Sequence, residues 1–101
     1  MNVLLQIDFP YSGPYGEEMA QAFAGLAESI AQEKGLIWKM WTENRETGEA
    51  GGIYLFEDAS SATAYLAMHT ARLESFGVQG IRSKLFNVNV PLSRITKAPL
   101  S

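Results

Sequence analysis

The sequence predicts an α+β fold of the ferredoxin-like kind, with element order β-α-β-β-α-β and two helices on one face of a four-stranded antiparallel sheet. Three observations carry this. Residues 2–9, NVLLQIDF, alternate apolar and less apolar positions as a strand does. Two longer stretches, about Tyr15 to Glu33 and Asp58 to Phe76, place apolar residues three and four apart, as helices do. Between them, Gly35 to Glu57 reads as two apolar runs around a polar turn. A chain of 101 residues is expected to be one domain, spanning 1–101, with 91–101 as a C-terminal tail.

The first strand puts Val3, Leu5, Ile7 and Phe9 on one face and Leu4, Gln6 and Asp8 on the other. The loop PYSGPYG follows, with Pro10, Gly13 and Pro14 breaking the pattern. Pro14 suits the first turn of a helix, and Glu17 and Glu18 suit its dipole. Met19, Phe23, Leu26 and Ile30 form the apolar stripe of a single helix, which Lys34 and Gly35 end. The second helix has Asp58 as N-cap, a stripe of Ala62, Leu66, His69, Leu73 and Phe76 with Tyr65 and Arg72 alongside, and Gly77 as its stop. Residues 78–90 read as the last strand, ended by Pro91. The tail is expected to lie across a neighbouring subunit.

The hairpin holds both tryptophans. Pairing Glu43 with Glu49 sets Trp38 opposite Tyr54 and Met40 opposite Gly52 on one face. Ile37, Lys39 and Trp41 then fall on the other, opposite Leu55, Ile53 and Gly51. Gly51 and Gly52 mark a bulge or leave room for opposing aromatics. Both faces are apolar, yet two helices cover only one. The second face therefore predicts a homodimer in which two sheets pack together.

Composition excludes several classes. There is no cysteine and only one histidine, which argues against disulfide, thiolate and zinc chemistry. The net charge of −3 argues against a nucleic-acid partner. No apolar run approaches the roughly 20 residues of a membrane span. The N-terminal MNVLLQIDFP lacks the pattern of a secretory signal, so the expected location is cytoplasmic.

The segments LLQ (4–6), GPYG (13–16), LAESIAQEKG (26–35), WKMWTE (38–43), EAGGIYLF (49–56), AYLAMHTARL (64–73) and NVNVPLS (87–93) resemble the YdhR-type "putative mono-oxygenase" family over essentially the whole chain. The resemblance implies a dimeric α/β barrel related to antibiotic-biosynthesis mono-oxygenases. It also implies a pocket between helices and sheet that uses a side-chain amide from the first strand and an aromatic from the second helix. Gln6 and Tyr65 are the nearest counterparts. Tyr65 stands where relatives often have tryptophan, and Gln6 is longer than the usual asparagine. Strand alternation also leaves open that Gln6 points away from the helices.

Among side chains with chemistry, His69 reads either as a core histidine or as a general base. Arg72, three residues on, reads either as a helix-end cation or as a stabiliser of an enolate or peroxide anion. Trp38, Trp41, Tyr54 and Tyr65 either pack the core and interface or line a slot for a flat ligand. The two tryptophans have opposite parity, so at most one lines the pocket, and Trp38 is favoured. Lys39 reads as a strand residue turned to solvent, and Glu43, Glu46 and Glu49 as solvated charges. The expected function is a cofactor-independent mono-oxygenase acting on an aromatic or polycyclic phenol, with His69 and Arg72 catalytic and Trp38, Tyr54, Tyr65 and Gln6 binding substrate. No metal or cofactor is expected. The alternative is a dimeric barrel for small-molecule binding or stress response, without chemistry of its own.

Overall fold

The computed structural model describes residues 2–100. Strand β1 (Val3–Pro10) leads through the proline-broken loop into helices α1 (Gly16–Ala22) and α2 (Ala24–Ala31). The hairpin β2 (Leu36–Asn44) and β3 (Glu49–Phe56) comes next, then α3 (Ala59–Ser75), β4 (Arg82–Asn87) and a short α4 (Val90–Ile95). The sheet order is β2-β3-β1-β4, and every pairing is antiparallel.

The alternation in β1 decides where the helices sit. Val3, Leu5 and Ile7 are buried and join Tyr54, Phe56, Ile30, Ala62, Tyr65 and Leu73 in one core between helices and sheet. A buried aliphatic side chain at such a position contributes about 2–5 kcal/mol, judged by its truncation to alanine. Leu4, Gln6 and Asp8 point to the opposite, open face, where Met40 is 56% and Phe86 46% exposed. Arg82 closes one edge of that face, bridging Asp8 and Glu49.

The first helical stretch is kinked, not continuous. Phe23 departs from helical geometry (φ −108°, ψ 11°), although its N–H still reaches the Met19 carbonyl at 2.9 Å. The kink accompanies stacking of the Phe23 ring on Trp41, with centroids 6.4 Å apart. Gly35 then takes a left-handed conformation (φ 81°), and a Cβ there would run into Ser61 of α3. Asp58 caps α3 as expected, accepting from Ser61 N–H at 2.8 Å.

Two expectations at the C-terminal end are corrected. The last strand is Arg82–Asn87, shorter than 78–90. Pro91 does not simply end a strand; it lies in the first turn of α4, where its missing N–H costs nothing, behind the Asn89 cap. Within the chain, Trp38 Nε1–H donates to the Pro99 carbonyl of the tail at 2.7 Å.

The hairpin register also differs. Leu36 pairs with Phe56 in the expected register, but a bulge at Ile37 shifts the rest by one residue. Lys39 therefore faces Tyr54 and Trp41 faces Gly52, while Trp38 faces Leu55 and Met40 faces Ile53. Because side chains alternate with period two, that shift exchanges the faces of the whole strand. The bulge lies at Ile37 and not at Gly51–Gly52, whose ladder is continuous.

Candidate functional site

A cavity of about 270 Å³ lies between the helices and the sheet. Its sheet wall is Ile7 and Phe9 from β1, Lys39 and Trp41 from β2, and Tyr54 from β3. Phe23 and Leu26 close it from the kinked helix pair, and His69 and Leu73 from α3. The walls are mostly apolar and aromatic, with a few polar atoms, as befits a pocket for a small organic molecule.

His69 is 3% exposed and sits on the buried face of α3. One turn on, Arg72 brings Nε to 3.2 Å and Nη2 to 2.9 Å from His69 Nδ1. Arginine can only donate, so Nδ1 must be the acceptor and the ring proton is on Nε2. Burial, then the charges of Arg72 and Lys39, lower the His69 pKa to about 4. The imidazole is thus neutral at physiological pH, with its basic lone pair already engaged and a hydrogen-bond donor left at Nε2.

Tyr65 does not line the cavity but packs behind its wall. Its ring stacks on His69 (centroids 5.0 Å, 23°), and its hydroxyl hydrogen-bonds that of Tyr54 at 3.2 Å. Burial pushes the Tyr65 phenol up to about 12 and Tyr54 further, so both are protonated. Tyr65 therefore holds Tyr54 and His69 from behind the wall.

Lys39 is the residue that sequence reading misplaced. Its ammonium nitrogen lies 3.4 Å from the Trp41 ring centroid and 4.7 Å from that of Tyr54, inside the cavity wall and not in solvent. Room for it comes from Gly52, where a Cβ would stand 2.5 Å from Lys39 Cε. Burial, then the Arg72 charge, lowers its pKa to about 7. Among the described residues no carboxylate pairs with it.

Tyr11 is a second residue that sequence reading passed over. It borders the cavity, and its hydroxyl is buried without a hydrogen-bond partner among the described residues. Burial first, then Tyr15 and Glu43, raise its pKa, so it remains a hydroxyl. An unpaired buried hydroxyl beside a cavity is a ready contact for a polar atom of a ligand.

Of the predicted site residues, His69 and Tyr54 line the cavity, and Arg72 and Tyr65 support it. Trp38 and Gln6 do not reach it. The bulge turns Trp38 to the open face, and Gln6 shares the face of Leu4, paired with Ile53 and Lys84. Trp41 takes the place expected of Trp38. The signal for Lys39 and Trp41 was their shared parity on β2, which needed only the correct register. Tyr11, in a loop, had no periodic signal. Glu43 accepts from the Gly16 N–H at the start of α1 at 3.0 Å, and Glu49 serves the Arg82 bridge, so these carboxylates are structural.

Helices over one face of an antiparallel β2-β3-β1-β4 sheet, enclosing an aromatic cavity, make a ferredoxin-like fold. It aligns with a structure described as a putative antibiotic biosynthesis monooxygenase from Deinococcus radiodurans (TM-score 0.63, 13% identity, 86% of this chain and 92% of that one). It aligns equally with a mutant of SnoaB, a cofactor-independent oxygenase from Streptomyces nogalater (TM-score 0.61, 18% identity, 87% and 93%). A structural-genomics protein, YJCS, is similar at TM-score 0.56, 16% identity, 87% and 98% coverage. At these identities the likeness is one of fold. No curated protein matches in sequence. The chain belongs to the family described as "Putative mono-oxygenase ydhR", which matches residues 4–99.

Proposed function

We propose that this protein is a cofactor-independent mono-oxygenase whose substrate is a small aromatic or polycyclic phenol. The observation that carries the reading is the cavity itself: an apolar, aromatic-walled space holding a neutral histidine donor backed by the Arg72 guanidinium, with the Lys39 amine on the facing wall. Such a site favours a flat ring whose oxygen becomes negatively charged. The activity named for the family and the description of SnoaB point the same way.

In the reaction a phenol with a free para C–H loses its phenolic proton. The electron-rich ring then reduces O2, one oxygen atom enters at the para carbon, and the other leaves as water. The ring loses two hydrogens and becomes a quinone, so its own electrons reduce the oxygen and no external reductant is needed. His69 Nε2–H donates to the phenolate oxygen. Arg72 keeps the imidazole in that tautomer and adds positive charge nearby. Trp41, Phe23 and Tyr54 hold the ring, and Tyr11 contacts a second polar atom.

We infer further that the protein acts as a homodimer in the cytoplasm. Met40 and Phe86 on the open sheet face, with Leu4 and Ile53 between them, support a second copy packed face to face. Among the described residues no helix is long and apolar enough to cross a membrane.

Oxygen uptake by metal-free protein with a panel of naphthols and anthrone-like compounds tests the activity. Uptake with one labelled atom from 18O2 in each quinone is expected. No uptake across the panel, with ligand-dependent thermal stabilisation, would instead identify a binding protein without chemistry.

A further inference from the structure

The oxygenase reading needs a base, and the geometry removes His69 from that role. A general base must offer a lone pair to the substrate, and the only lone pair of neutral His69 is held by two Arg72 N–H groups. Tyr11, Tyr54 and Tyr65 are protonated, and arginine cannot accept a proton. The titratable side chain left on the cavity wall with a basic atom is Lys39.

We propose that the Lys39 amine is the proton acceptor of this site, taking the phenolic proton of the substrate while His69 Nε2–H binds the oxygen left behind. The inference rests on the mono-oxygenase reading for its substrate class, but the proton transfer can be tested without turnover.

The surroundings of Lys39 suit the task. From α3 come neutral His69, which lines the same cavity, and behind it Arg72, a permanent cation; from β3 comes the protonated Tyr54; its own strand contributes Trp41. Nothing anionic among these groups holds the amine in its charged form. Desolvation and Arg72 bring its proton affinity near neutrality, to about 7, where a general base works best. The step is ArOH plus Lys–NH2 giving ArO⁻ plus Lys–NH3⁺. The new ammonium forms over the face of Trp41, 3.4 Å from its centroid, where the ring quadrupole stabilises the charge. Gly52 is part of the device, because a side chain there would occupy the path of Lys39 Cε.

The probe is 4-cyanophenol, too electron-poor to be oxidised readily, whose phenolate absorbs at longer wavelength than the phenol. It is added to wild-type protein in weakly buffered solution just above neutral pH. The expected result is a phenolate band without net proton release, because the proton stays on Lys39. Lys39→Met should abolish the band. Lys39→Arg, which keeps the cation over Trp41 but cannot accept a proton, should show any phenolate band only with stoichiometric proton release to solvent. With an oxidisable naphthol, oxygen uptake should fall about a hundredfold in both variants. A probe that stays neutral with saturating wild-type protein overturns the proposal, as does equal proton release by wild type and Lys39→Arg. Undiminished oxygen uptake in both variants would remove Lys39 as base and leave the oxygenase standing. Lys39-dependent proton transfer without any oxygen uptake would do the reverse.

Discussion

Arg72 donates to Nδ1 of His69 from both Nε and Nη2, at 3.2 and 2.9 Å, across one turn of the same helix. This places the imidazole proton on Nε2. Because His69 is the only histidine, NMR of its ring nitrogens reads the tautomer directly. The expected wild-type spectrum is the Nε2–H form, with titration near pH 4. Arg72→Met should raise that pKa, though not fully to the ordinary value, because burial is the larger cause. An unchanged titration in Arg72→Met would remove Arg72 as the controlling group.

The depressed His69 pKa also sets a pH dependence of stability. Below its ordinary pKa of 6.5 the unfolded chain binds a proton that folded His69 refuses until about pH 4. Stability should therefore be fully present above pH 6.5 and fall as pH drops toward 4, by on the order of 3 kcal/mol. Urea unfolding across that window measures it. His69→Gln should flatten this part of the profile; an equally steep fall in the variant would place the linkage elsewhere.

Gly52 and Gly51 are predicted to resist substitution for different reasons. At Gly52 an added Cβ meets Lys39 Cε at 2.5 Å and Tyr54 Cε1 at 3.1 Å, both side-chain atoms that can shift. Gly52→Ala should cost about 1–3 kcal/mol and displace Lys39. At Gly51 the Cβ strikes the Ile7 and Asp8 backbone of β1, which cannot yield without opening the sheet. Gly51→Ala should therefore cost more than Gly52→Ala in denaturant titrations; the opposite order would contradict the register of β1 against β3.

The two tryptophans should report on different events. Trp41 lines the cavity, whereas Trp38 Nε1 is tied to Pro99 on the opposite side of the sheet. A bound nitrophenol should quench the emission of Trp38→Phe protein, whose remaining indole is Trp41. It should leave Trp41→Phe protein nearly unchanged. Equal quenching in both would return Trp38 to the pocket.

The open sheet face makes a prediction about assembly. Replacing Met40 and Phe86, 56% and 46% exposed, by Lys and Glu should halve the mass seen by light scattering while leaving the helical signal intact. A wild-type protein that is already monomeric would exclude the dimer.

Much of the fold was legible in local pattern. The β1 alternation selected Val3, Leu5 and Ile7 for the core, and Asp58 and Gly35 marked helix boundaries through capping and backbone chemistry that act over a few residues. His69 and Tyr54 were likewise found because each lies on the buried side of its element. Lys39 was misread because a lone cation between apolar neighbours has a default destination, solvent. Only the Trp41 and Tyr54 rings and the space at Gly52 make the interior acceptable to it.

What the sequence by itself determined is the four strands and the two helical stretches, their order, and that Trp38 and Trp41 must part company across the sheet, since strand geometry has a period of two. Which tryptophan goes to the cavity was decided by the tertiary structure alone. The expected register holds at Leu36 opposite Phe56, and the single extra residue at Ile37 moves every later pair by one. A bulge is a compromise between two strands and what packs on them, with no local signature here, and it carries Lys39 and Trp41 inward and Trp38 outward together.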